Sequence, residues 1–212
     1  MQKPGGVASL LNALIAVANL VIVFAVLGPA LSYAPRDSIA ATAALVTSNP
    51  VPLIALEILK LLSAACGLVL VLAIRERMTA RNAPNVQWAM LAGFAGAALL
   101  SLGGLVGVFA IAQAGRAGAA DAVVSAYEEL SAQVTYIGLF ALLANGVWLL
   151  LTASAAIKRG GLPLRLAYFT FLLGGLNVLG FLLPPLAIVV LLIGLAWNVA
   201  LGLFVLREGA PA

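Results

Sequence analysis

The 41 residues from Leu166 to Leu206 contain no charged side chain. As one helix, at ~1.5 Å per residue, they would run ~61 Å, twice the ~30 Å hydrocarbon thickness of a bilayer. Pro184-Pro185 stands near the middle of the run, where the missing N–H donors and the ring clash break a helix. The run is therefore read as two membrane spans, residues 166–183 and 186–206, that turn at the membrane surface.

Four more apolar runs precede it, at residues 7–31, 51–74, 88–111 and 134–157. Each is long enough to cross hydrocarbon as a helix. The expected fold is an all-α polytopic bundle of six spans, one integral membrane domain over residues 1–212. Composition agrees: 64% of the residues are hydrophobic and 8% charged, against about 25% charged in ordinary soluble domains. Mean hydropathy is +1.18. The first run lacks a following Ala-x-Ala site and reads as a full span rather than a cleaved signal.

A net charge of +4 does not point to nucleic acid, because the basic residues sit in short loops between spans. Lys3, Arg75, Arg77, Arg81, Lys158, Arg159, Arg165 and Arg207 fall on the side of the N-terminus; Arg36 and Arg116 fall opposite, and Lys60 lies within a span. Excess Lys and Arg mark cytoplasmic loops. Both termini are expected in the cytoplasm, with the chain in a bacterial inner membrane.

Two longer loops are expected to carry short amphipathic helices on the outer membrane surface. In the first, Asp37 is read as capping a helix from Ser38 to about Val46. In the second, between Gln113 and Gln133, Asp121 is read as a cap, and Val123, Val124, Tyr127 and Leu130 share one helical face.

Glu57 and Lys60 lie three residues apart inside the second run. A charge within hydrocarbon costs roughly 2.5–3.5 kcal/mol on insertion scales and faces protein or a polar cavity. The spacing puts both on one helical face with the acid first, the favourable order, and Ser63, Ala64 and Gly67 continue it. One reading makes the pair the centre of a polar intramembrane site with Asn12, Asn19, Asn145 and Asn177. The other two are structural: a neutralised pair that pins helix register, or side chains that lean to the interface. The structural readings are preferred. The third span carries Gly93, Ala97 and Ser101 four residues apart, and Gly103 with Gly107. Such stripes let helix backbones approach closely.

The chain has no His and a single cysteine, Cys66, within a span. The commonest metal ligand and general base is therefore missing. No H-E-x-x-H or Gly-x-Ser-x-Gly motif occurs, and no Asp lies inside a span. Neither an enzyme nor a metal or cofactor site is expected.

Gly146-Val147-Trp148, then Leu162-Pro163, Gly174-Gly175, the Pro184-Pro185 break, Trp197 and terminal Leu206-Arg207 resemble a bacterial family of six-span membrane proteins designated only as a domain of unknown function. The resemblance covers residues 146–207 and implies six spans but no activity. Membrane lipids are the expected surroundings. The expected role is non-catalytic, through helix–helix association, as an accessory subunit of a membrane complex or a homo-oligomer. The alternative is a transporter or channel for a small solute, ion or lipid with its site around Glu57 and Lys60.

Overall fold

A computed structural model of the chain describes residues 1–28, 44–80, 83, 85–117 and 120–208. Among them there is no strand, and six helices are long and apolar enough to cross a membrane. They are α1 (Gln2–Val21, continuing as a π-helix over Ile22–Leu27), α2 (Val51–Ala80), α3 (Val86–Arg116), α4 (Ala120–Arg159), α5 (Leu164–Leu182) and α6 (Ala187–Glu208).

Local chemistry sets the joints. Gly160 and Gly161 take left-handed φ of +81° and +96°, which a residue without Cβ adopts freely. Gly160 closes α4 by donating its N–H to the Ala156 carbonyl at 2.8 Å, and Leu164 starts α5 directly after Pro163. Residues 160–163 thus make a tight turn, flanked by Lys158, Arg159 and Arg165. Pro184–Leu186 makes one 3-10 turn between α5 and α6, so the 41-residue run divides where Pro184-Pro185 places the break.

The helices pack in chain order, each on its sequence neighbours, and α6 returns to pack on α1. The result is a closed ring of six antiparallel helices. The seam between α1 and α6 rests on glycine. A Cβ at Gly202 would lie 2.8 Å from Leu10 and 3.0 Å from the Gly6 carbonyl oxygen; one at Gly6 would lie 2.6 Å from Leu206. Across the same seam Ser9 donates to the Asn198 carbonyl at 2.8 Å.

Two apolar clusters hold the ring. The larger lies at the end that carries both termini and includes Leu70, Ile74, Met78, Leu149, Leu166, Leu201 and Val205. The smaller lies at the opposite end, where Leu27, Val46, Leu53, Ile111, Ala114 and Val123 meet. No described member of it comes from α5 or α6.

Several helices run beyond the expected spans. The first helix begins at Gln2, where Gly5 and Gly6 let its first turns pack on Ala73 and Leu206. The second and third helices extend to Ala80 and Arg116. Of the surface helix expected from Ser38, residues 44–48 are helical, and 38–43 lie outside the described residues. The second expected surface helix is continuous with α4. Val123, Val124 and Tyr127 of its apolar face pack into the smaller cluster with Ala114 and Val46. The side chain of Asp121, expected as a cap, lies outside the described set.

Gly202→Leu should open the α1–α6 seam and destabilise the protein by about 1–3 kcal/mol, the usual cost of overpacking. A Cβ at Gly175 meets nothing within 4 Å, so Gly175→Ala should leave thermal melting in detergent unchanged or raise it slightly. Equal melting of wild type and Gly202→Leu would rule out the seam as described.

Candidate functional site

The ring surrounds a partly open cavity of about 320 Å³, lined by residues of all six helices. Small pockets that take drug-sized molecules span about 300–1,000 Å³. Ten residues at ~1.5 Å each put Asn12 about 15 Å from Gln2, near the middle of a ~30 Å hydrocarbon core.

The floor is aromatic. Trp148 of α4 and Trp197 of α6 are both buried, with ring centroids 6.2 Å apart and planes at 89°. The Trp197 indole N–H donates to Thr170 Oγ1 at 2.8 Å, and Thr170 in turn donates to the Leu166 carbonyl. The pair belongs to the larger cluster, which also lines the cavity through Leu70, Val71, Leu149 and Leu173.

Beside these rings lies a belt of amides, Asn198 following Trp197 directly on α6. On one side Ser63 donates to Asn12 Oδ1 at 2.6 Å, and Asn12 Nδ2 reaches Asn198 Oδ1 at 3.4 Å. Ser9 also reaches Asn198 Oδ1 at 3.3 Å. On the other side Asn145 Nδ2 donates to Asn177 Oδ1 at 3.1 Å, and Asn177 donates to the Leu173 carbonyl. α4 and α5 approach closely enough for this because a Cβ at Gly146 would sit 3.0 Å from the Gly174 carbonyl oxygen. Interhelical hydrogen bonds of this kind average about 0.6 kcal/mol in a membrane protein.

Three glycines of the cavity wall have a different role. A Cβ at Gly67, Gly138 or Gly194 would meet nothing within 4 Å. Close packing does not require them. Their effect is to widen the cavity.

The six polar residues expected to share a site divide into two groups. Asn12, Asn19, Asn145 and Asn177 line the cavity; Glu57 and Lys60 do not. Lys60 Nζ donates to both Glu57 oxygens at 2.7 and 2.8 Å. The pair is turned toward α3: a Cβ at Gly107 would collide with the Glu57 carboxylate, and one at Gly104 would lie 3.0 Å from the Glu57 carbonyl oxygen. Glu57 is 13% exposed and Lys60 33%, so the carboxylate is socketed in protein and the ammonium remains half-buried.

The third span's small residues work inside the chain, each against a different neighbour. Gly93 admits Val71 and Trp148, Gly103 faces Ile137, and Gly107 holds Glu57. Ala97 lines the cavity, and Ser101 is half-buried.

Two groups escaped the sequence reading. Asn198 joins the belt from α6, and its signal was its place among the intramembrane amides. The other is a polar plug at the terminal end. Arg77 is buried there, donates Nε–H to Gln2 Oε1, reaches Glu208 Oε2 and the Gly161 carbonyl at 3.4 Å, and lies 4.7 Å over the Phe204 ring. Gln2 extends the plug to the Ala73 carbonyl at 3.0 Å. Read as a loop cation, Arg77 instead ties α1, α2, α6 and the 160–163 turn together.

No known protein family, curated protein or solved structure matches the chain. A functional reading rests on the chain's own geometry.

Removing one partner of a sequestered ion pair leaves a charge uncompensated. Glu57→Gln and Lys60→Met should each lower the melting temperature in detergent more than the double substitution does. Additive single effects would count against a direct pair.

Proposed function

We propose that this chain is a non-catalytic multi-pass membrane protein that binds an uncharged small molecule in its central cavity, as a carrier or binding protein. The observation that carries this reading is the cavity itself: about 320 Å³, bounded by all six helices, belted by amides, and without a charged residue on its wall among the described residues. Apolar walls with a few convergent polar groups are the common make-up of small-molecule sites. The five cavity asparagines would orient the ligand. Glu57 and Lys60 would brace α2 at the opposite end rather than touch it.

The second reading is an accessory role in a membrane complex. It is favoured by the far end of α1, where Val21, Val23, Phe24 and Val26 are all at least 40% exposed and offer an apolar face to a partner helix. A homo-oligomer built on the α3 glycines is less favoured, since those glycines are used within the chain.

The reading also carries an orientation. Gln2, Arg77, Gly161 and Glu208 meet at one end, so Lys3, Arg75, Lys158, Arg159, Arg165 and Arg207 gather there too. The positive-inside rule assigns that end to the cytoplasm of a bacterial inner membrane. The cavity's far end then faces the outer leaflet, with residues 44–48 and the start of α4 near the outer surface. A fluorescent-protein fusion at the C-terminus should glow and an alkaline phosphatase fusion should stay inactive; the converse pattern would reverse the topology.

Native mass spectrometry of protein extracted gently from its own membrane should find a bound molecule of small mass on the wild type. Gly67→Leu fills open space and replaces a helix-interior glycine with a better helix former, a difference of up to about 1 kcal/mol. It should fold normally and lose that mass. A bare wild-type chain, or retention of the mass by Gly67→Leu, would sink the reading.

A further inference from the structure

Resting on that reading, the geometry points to a ligand class: a neutral, single-chain lipid with a hydroxyl- or carbonyl-bearing head, taken sideways from the bilayer through a slot between α1 and α6.

The slot follows from how α1 is held. Its hydrogen bonds to α6 come from Ser9 and Asn12, and its glycine contact lies at Gly6. All three are in its first half. Further along, the π-helical segment Ile22–Leu27 packs against α2 instead, with Leu27 and Ile22 in the cluster around Leu53 and Ile111. The facing part of α6 presents Ala187, Leu191 and Leu195 to the cavity, and Ile188 and Leu192 beside them are 42% and 53% exposed. α1 and α6 are thus tied near the terminal end by glycine contact and hydrogen bonds, and farther along no side-chain hydrogen bond or glycine contact joins them among the described residues. A way in between them there admits what already dissolves in the bilayer.

The distribution of polarity sets which end of the ligand goes first. Asn12 and Asn198 lie about level with the Trp148–Trp197 pair, and Asn145 and Asn177 about one turn farther from the termini. Toward the opposite end the wall is mostly apolar, with Ile15, Leu100, Leu142 and Leu191 beside the single amide of Asn19. A water-soluble solute has no apolar half to match to that wall. An amphiphile has one, with its head on the belt and its chain toward the slot.

The belt also selects the head. An Asn amide offers two donors and an acceptor with two lone pairs. Asn145 donates to Asn177, and Asn177 donates to a carbonyl. That leaves the Asn145 oxygen and a second N–H on each amide without a protein partner among the described residues. Hydroxyl and carbonyl groups answer both. A charged head would enter a wall with no counter-charge, at the cost of desolvation. The cavity is at the small end of ligand pockets, so it holds the head and a short length of chain, and the remainder lies in the slot.

The test uses the floor as its reporter. Trp88 is 67% exposed, whereas Trp148 and Trp197 are 5% and 3% exposed. In Trp88→Phe protein the fluorescence therefore comes from buried rings that detergent does not reach. A monoacylglycerol brominated on its acyl chain close to the head should quench that fluorescence saturably. It should bind about tenfold or more tighter than the brominated fatty acid of the same chain, a margin of about 1.4 kcal/mol. Gly194→Phe, which fills open cavity space, should abolish the quenching while melting as the parent does. Equal affinity for the fatty acid would overturn neutrality, and quenching that survives Gly194→Phe would overturn the cavity as its place. Saturable quenching by bromoethanol but not by the lipid would overturn the lipid class and leave the small-molecule reading standing. Failure of every probe, together with a bare chain in native mass spectrometry, would remove both.

Discussion

The structure depends on the approach of α1 to α6 at Gly6 and Gly202. Six helices in chain order make an open row, and each interior pair is already joined by a short connection or a long shared face. Only the return of the last helix to the first converts the row into a ring, and only a ring has an inside. In hydrocarbon there is no hydrophobic drive to bring two apolar helices together, so the seam must rest on close packing and interhelical hydrogen bonds. Gly6 and Gly202 remove the Cβ atoms that would hold the backbones apart, and Ser9 supplies the bond to the Asn198 carbonyl. The Arg77 plug then fixes the same end from below by tying α2 and the 160–163 turn to Glu208 and Gln2.

The parts of this fold legible in the sequence are those written along the chain. Run length marks six spans, Pro184-Pro185 marks the division of the last two, and Gly160-Gly161 before Pro163 marks the tight turn. The rotation of each helix about its own axis is not written there. A soluble helix shows its buried face by a polar stripe on the other side. These helices are apolar all round, so a residue's direction is set by the neighbour that happens to be small. Glu57 and Lys60 seemed to share a site with the asparagines because all of them are polar residues within spans. The direction of Glu57 was decided on another helix, at Gly107, where a missing side chain leaves a socket for the carboxylate. Asn198 joins the belt for the same reason in reverse: the glycine seam turns it toward Asn12.

The glycines of the third span show the same limit. Gly93, Gly103 and Gly107 look like one contact stripe, and each admits something different: two aliphatic or aromatic side chains at Gly93, Ile137 at Gly103, and a carboxylate at Gly107. Small residues mark where something comes close. They do not say what. Gly67, Gly138 and Gly194 add the opposite case, in which the small residue marks where nothing comes close.

That last group bears on why an internal space persists at all. Water drives a soluble core to collapse around a void, and residual cavity costs about 24 cal/mol per Å³ in large-to-small substitutions. A bilayer exerts no comparable pressure, since lipid tails are as apolar as the walls. The smaller cluster of this ring is set at its far end, the larger reaches from the terminal end to the cavity wall, and amides and glycines complete the lining. The smaller cluster joins α1 through α4 and leaves out α5 and α6. The ring is thereby braced on one side of its far end and free on the other, where Ala187, Leu191 and Leu195 face inward with no α1 glycine to meet them. On the proposed reading, the unbraced side of the far end is where a ligand enters from the membrane.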